Sequence, residues 1–147
     1  MSGYIQTAKT HEWETPQDLF DKLNAEFHFE LDPCATIDNA KCDRFFTIEQ
    51  DGLAQDWTQY RSIFVNPPYG REIALWAEKA YETARSGKST VVLLVPARTD
   101  TKWFHDYVLG KAEIRFIRGR IRFGGAKAGA PFPSVIIIYS PDTGGKE

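Results

Sequence analysis

Five consecutive apolar residues, Val91-Val92-Leu93-Leu94-Val95, stop abruptly at Pro96. A half-buried strand alternates apolar and polar residues, whereas an unbroken, β-branched run of this length suits a strand covered on both faces, as in a parallel sheet flanked by helices. A second run, Ile63-Phe64-Val65, ends in the same way at Asn66-Pro67-Pro68-Tyr69. Two prolines in succession offer no backbone donors and bias the residue before them away from helix, so the strand stops there with carbonyls exposed at its carboxyl end.

Helical and strand periodicities alternate around these two runs. Pro16 to Glu26 carries Leu19, Phe20, Leu23 and Phe27 at helical spacing, with Thr15 as N-cap and Pro16 at the first helical position. Phe27 to Leu31 alternates and predicts a half-buried strand ending at Asp32-Pro33, and Arg44 to Ile48 a short second strand. Ile73 to Arg85 and Thr101 to Leu109 predict helices, the latter closed by Gly110, and Ala112 to Ile117 and Ser134 to Tyr139 predict a strand-loop-strand finish. The expected fold is therefore a single α/β domain over 1–147, its sheet covered on both faces and finished by an antiparallel hairpin at one edge, with flexible ends at about 1–12 and 141–147.

Composition narrows the partners. The 147 residues are 42% hydrophobic and 14% aromatic, enough for one sizeable core, and the net charge of −2 gives no global attraction to a polyanion. Any nucleic-acid contact must come from local clustering. Cys34 and Cys42 have neither a C-x-x-C spacing nor a second pair, and His11, His28 and His105 show no ligand spacing, so the expectation is reduced thiols in a cytoplasmic protein and no metal. No apolar run approaches the length of a membrane span, and the polar N-terminus lacks the apolar core of a signal peptide.

Candidate chemistry gathers at the strand ends, where open α/β sheets bind ligands. If the Asn66 amide oxygen and the Pro67 carbonyl converge, they accept both hydrogens of an exocyclic amino group while Tyr69 stacks on the attached ring, which describes a pocket for a flat aromatic amine such as adenine. Asn66-Pro67-Pro68-Tyr69 resembles the catalytic motif of amino-group methyltransferases that use S-adenosylmethionine. At the preceding strand end, Asp32 in Leu31-Asp32-Pro33-Cys34-Ala35 is placed to accept from a cofactor ammonium or ribose hydroxyl, with Pro33, Cys34 and Ala35 allowing close approach. Asp51 in Asp51-Gly52-Leu53 is similarly placed for an adenine amino group. Both Asp-Pro and Asp-Gly are also common turn formers. Trp13-Glu14-Thr15-Pro16 adds a hydroxyl and a helix N-terminus suited to a carboxylate, or simply a capped helix.

A basic stretch supplies the local clustering that the net charge lacks. From Lys111 to Lys127 six positive residues face one negative, a local balance of +5. Arg118, Arg120 and Arg122 alternate with Gly119 and Ile121, which predicts one shared strand face before the glycine-rich run containing Lys127. Such a face suits phosphate contact or is a solvated surface, and Arg98 and Lys102, after the Val95-Pro96 strand end, are further candidates to face DNA.

Trp-x-Thr-Pro, Leu-Asp-Pro-Cys-Ala, Asp-Gly-Leu, Asn-Pro-Pro-Tyr and Ala-Pro-Phe-Pro-Ser, in that order over about Glu12 to Pro141, resemble the phage-type DNA N-6-adenine methyltransferase family. The resemblance implies a Rossmann-like, S-adenosylmethionine-dependent methyltransferase fold, a compact mixed sheet with an antiparallel edge. It implies that Trp13, Thr15, Pro16, Asp32 and Asp51 belong to the cofactor pocket and Asn66, Pro67, Pro68 and Tyr69 to the target-adenine pocket. The reaction implied is methyl transfer to adenine N6 of a flipped-out DNA base, site-specific through loops or of low specificity, in a host cytoplasm if the chain is phage-encoded. No Gly-x-Gly loop follows the first strand. The alternatives are a protein-glutamine or RNA-adenine N-methyltransferase, since Asn-Pro-Pro-Tyr suits any planar amide or amine, and a non-catalytic nucleic-acid-binding module of the same fold.

Overall fold

The computed structural model describes residues 14–125 and 128–141. The ends expected to be flexible, apart from Pro141, and the candidate site residues Trp13 and Lys127 lie outside the described residues. Among those described, the chain forms six strands: β1 (Leu31–Asp32), β2 (Arg44–Phe45), β3 (Ser62–Val65), β4 (Thr90–Pro96), β5 (Glu113–Phe116) and β6 (Ser134–Tyr139). The helices are α1 (Gln17–Phe27), α2 (Ile73–Arg85) and α3 (Lys102–Tyr107).

All six strands join one sheet in the order β2-β1-β3-β4-β6-β5. Parallel pairing runs from β2 through β1 and β3 to β4, with Ile63 opposite Leu31 on one side and Val91 on the other. β6 is antiparallel to both β4 and β5, which leaves β5 as the edge. The expected mixed sheet with an antiparallel edge is thus present.

Alternation along the central strands divides the core in two. Ile63, Val65, Val91, Leu93 and Val95 point to the face covered by α2 and α3, where Trp76, Ala77, Ala80 and Phe104 are buried. Phe64, Val92, Leu94, Ile136 and Ile138 point to the other face, against Phe20 and Leu23 of α1 and against Ile121, Phe123, Ala130 and Phe132. Those last four residues come from the 117–133 connection, so a loop completes the cover that a single short helix leaves incomplete.

Three local expectations are corrected. The predicted strand over Phe27 to Leu31 shrinks to Leu31–Asp32, because α1 continues through Phe27 and His28 then turns left-handed at φ 53°, its N–H donating to Asn24 O. The apolar alternation there serves a ring cluster instead: Phe29 lies 5.7 Å from Phe27, 5.6 Å from Phe20 and 5.3 Å from Phe64. Thr15 does not cap α1; Pro16 occupies the N-cap and no side chain bonds there. Finally, Arg118, Arg120 and Arg122 do not lie on a strand, since β5 ends at Phe116 and Gly119 takes φ 79°. Their alternation still sorts by exposure: the three arginines are exposed while Ile121 and Phe123 are buried.

Candidate active site

β1 has β2 on one side and β3 on the other, so the connections leaving the carboxyl ends of β1 and β3 diverge and open a crevice between them. A cleft of roughly 250 Å³, part of it open solvent, lies there. It is lined by Asp32 and Cys34 from the end of β1, Asn39 and Lys41 from the connection to β2, Phe64 and Asn66 from β3 and its end, and Glu14 and Thr15 ahead of α1. Residues from three separate stretches of sequence meet at one point. Among the expected residues, Thr15, Asp32, Cys34 and Asn66 line the cleft.

Asp32 is 4% exposed, and its carboxylate accepts from Lys41 N at 3.0 Å and Cys34 N at 3.4 Å. Burial raises its pKa to about 7, against the lowering effect of those two amides and of the Lys41 charge. The Cys42 thiol is likewise pushed up by burial to about 12, and Cys34 is raised well above the ordinary thiol value, so neither is a ready nucleophile.

Asn66 is 7% exposed, and its Nδ2 donates to Thr15 Oγ1 at 3.0 Å. That bond orients the amide, since Nδ2 faces Thr15 and Oδ1 therefore faces away from it. Pro67 and Pro68 are buried behind Asn66. Tyr69 is half-buried, its hydroxyl 3.4 Å from Leu94 O, and its ring is met edge-on by Phe123 at 6.1 Å and Phe132 at 5.6 Å. Burial raises the pKa of the Tyr69 phenol above its ordinary range. The Arg98 guanidinium lies over the Phe132 ring at 5.7 Å, which brings one expected DNA contact beside this aromatic group.

The other expected residues are placed differently. Pro33 and Ala35 are buried beneath the cleft, the Ala35 amide donating to Phe46 O at 3.1 Å, and Pro16 is half-buried at the start of α1. Asp51 is exposed, left-handed at φ 59°, and does not line the cleft. Lys102 is exposed and paired with Asp106 one helical turn away. Arg115, inside the basic stretch, is bound by Glu26 through two 2.7 Å hydrogen bonds and by Glu113, and so ties β5 to α1. Arg118, Arg120 and Arg122 form no ion pair among the described residues; Arg120 Nη1 donates to Ala130 O at 3.3 Å. Their loop is anchored to the cleft wall through Gly124 N donating to Glu14 O at 2.8 Å.

Sequence reasoning missed Glu14, Asn39, Lys41 and Phe64 as cleft residues. Glu14, inside Trp13-Glu14-Thr15-Pro16, and Phe64, in the strand that leads to Asn66-Pro67-Pro68-Tyr69, stood next to recognisable motifs; Asn39 and Lys41 did not. Among the described residues no helix is long and apolar enough to cross a membrane, and no three His, Cys, Asp or Glu side chains are grouped to hold a metal ion.

Sheet order and cleft make this an α/β protein with a cleft at the carboxyl ends of parallel strands, the position at which open α/β sheets take their ligands. The sequence profile of the family described as DNA N-6-adenine-methyltransferase (Dam) matches residues 3–141. A DNA N-6-adenine-methyltransferase of Haemophilus phage HP1 (strain HP1c1) is 32% identical over 137 residues, 88% of this chain and 78% of that protein. One of Escherichia phage T1 is 29% identical over 106 residues, 71% of this chain and 44% of its own length. The chain belongs to the DNA N-6-adenine-methyltransferase (Dam) family and is an enzyme of that kind.

Proposed function

We propose that this chain transfers a methyl group from S-adenosylmethionine to N6 of an adenine flipped out of DNA, on a Rossmann-like methyltransferase fold. The observation that carries this reading is the single cleft joining Asp32 at the end of β1 to Asn66 at the end of β3. When bound, the donor supplies a sulfonium-activated methyl group. The residues present suit it: a buried carboxylate that accepts from two backbone amides, with no side-chain hydrogen bond given to it among the described residues, favours an ammonium partner or ribose hydroxyls.

Asn66 and Pro67 act on the other reactant. The adenine amino nitrogen is a poor nucleophile because its lone pair is delocalised into the ring. The Asn66 Oδ1 and Pro67 carbonyl would accept its two hydrogens, favour the lone pair on nitrogen and support the positive charge that develops as the N–C bond forms and the donor's S–C bond breaks; one of the two held hydrogens then leaves as a proton to water. Thr15 holds the amide in the orientation this needs, and Tyr69, wedged by Phe123 and Phe132, offers the stacking face for the extruded base. Rate comes from positioning, and no strong base is required. Arg98, Arg118, Arg120, Arg122 and Lys127 serve the DNA backbone, whereas Lys102 is taken up by Asp106. The phage relatives support work in a host cytoplasm.

The test is incubation with labelled S-adenosylmethionine and unmethylated DNA, followed by nucleoside analysis for N6-methyladenine. Asn66→Ala should lose nearly all turnover with cofactor affinity within a few-fold. Thr15→Val, which removes the acceptor but not the bulk, should lower kcat by about 10- to 100-fold, and Thr15→Ser should restore much of it. Undiminished methylation by Asn66→Ala would remove the amide from the mechanism.

A further inference from the structure

Lys41 is a charged group on the cleft wall to which the transfer chemistry assigns no task. Its side chain is 9% exposed, Nζ donates to Gln17 Oε1 at 2.9 Å, and Glu14 Oε2 stands at 4.0 Å, beyond hydrogen-bond reach. An ammonium has three donors, and burying it with one met at short range among the described residues is costly. A ligand anion entering the cleft would meet the other two.

The surrounding loop offers no substitute. The Cys34 and Lys41 amides donate to Asp32, Ala35 N to Phe46 O, Thr36 N to Asn39 Oδ1, and Asn39 N and Ala40 N back to Thr36. Pro33 has no N–H, and Ile37 and Asp38 lie at the exposed tip. Residues 33–41 therefore leave no nest of backbone amides to cradle an anion, as glycine-rich loops at strand ends do. Lys41 meanwhile bonds Asp32 Oδ2 through its own backbone N–H, so one residue ties the buried carboxylate to the buried ammonium.

The methionine end of S-adenosylmethionine carries one ammonium and one carboxylate. We propose that Lys41 receives that carboxylate while Asp32 receives the ammonium, a side chain replacing the amide cradle of a glycine-rich loop. The proposal rests on the donor assigned above.

Calorimetric titration with two uncharged-sulfur nucleosides tests it: S-adenosylhomocysteine, which keeps the ammonium and the carboxylate, and 5′-methylthioadenosine, which lacks the arm that carries them. Lys41→Met keeps the apolar stem and removes the charge. It should weaken S-adenosylhomocysteine by about 10- to 100-fold and leave 5′-methylthioadenosine within about twofold, with Lys41→Arg recovering part of the loss. A thermal melt of each variant reports whether the fold is retained. An equal loss of both nucleosides would assign Lys41 to the shape of the cleft, and no loss of either would remove it from the site; both overturn the proposal. Wild-type protein that binds neither nucleoside overturns the donor assignment and this proposal with it.

Discussion

Asp32 holds an ionisable group where charge is costly, and its pH behaviour follows from that. With a folded pKa near 7 and an ordinary value of 3.8, the folded state holds its proton more tightly than the unfolded chain. The protonated carboxyl therefore contributes stability that is complete below about pH 4 and is lost as pH rises through about 7, at up to about 1.4 kcal/mol per unit. A cationic ligand group prefers the ionised carboxylate and binds with release of a proton. Affinity for S-adenosylhomocysteine should then rise by up to about tenfold per pH unit toward pH 7 and flatten above it. Asp32→Asn should abolish both slopes, measured by denaturant unfolding and by calorimetry across pH 5 to 8; slopes that survive the substitution would place the titrating group elsewhere. Asp32 and Asn66 are legible in the sequence as cleft residues because each stands at the end of an expected strand, where open α/β sheets have their crevice. Thr15 as the orienting partner of Asn66 is not, since that bond spans 51 residues and Thr15 sits locally in a plausible capping position. Lys41 is hidden for the same reason, its ammonium meeting Gln17 across 24 residues.

At the scale of elements, the turn Gly52–Ala54 is pressed directly against the end of β1. A Cβ at Gly52 would stand 2.0 Å from Pro33 O and 3.2 Å from the Trp76 ring, while Gly52 O accepts from the buried Trp57 Nε1 at 2.9 Å. Neither a carbonyl nor a strand end can yield as a flexible side-chain tip does, so Gly52→Ala must move either the turn or the Pro33 loop. The expected cost is about 1–3 kcal/mol, a Tm lowered by about 3–10 °C. Because Pro33 adjoins Asp32, cofactor affinity should fall as well, and a variant that melts like the parent would mean the two segments are not in close contact. Ile73–Arg85 and Ser134–Tyr139 can be read from sequence to the residue because periodicity and burial agree there. β1 cannot, because only Leu31 and Asp32 pair in the sheet while the preceding phenylalanines feed the packing of α1. The 117–133 loop misleads in the same way: alternate apolar residues fill a core without strand pairing, and alternation alone cannot distinguish the two.

Over the whole molecule, a net charge of −2 means that attraction to DNA depends on where the positive groups stand. Several are already engaged within the fold: Arg115 by Glu26 and Glu113, Lys102 by Asp106. Arg118, Arg120 and Arg122 instead project outward from a loop whose inner side buries Ile121 and Phe123, whose backbone is fastened to Glu14, and whose Phe123 meets Tyr69 edge-on. One segment thus seals the second core, meets Tyr69 through Phe123 and presents to solvent guanidinium groups that form no ion pair among the described residues, which is what supports the proposal of phosphate contact beside the proposed base pocket. Replacing all three arginines by Ala should reduce the slope of log affinity against log salt by roughly 0.9 for each phosphate no longer neutralised, up to about 2.7. S-adenosylhomocysteine affinity and Tm should change little, because the arginines are exposed and, among the described residues, only Arg120 makes a hydrogen bond within the loop, to Ala130 O. Equilibrium DNA binding across a salt series, alongside calorimetry on the same preparations, separates the effects. An unchanged salt slope would make these arginines a solvated surface and move the path of the DNA to another face, whereas weakening confined to DNA would fix the duplex over the 117–133 loop, within reach of Tyr69.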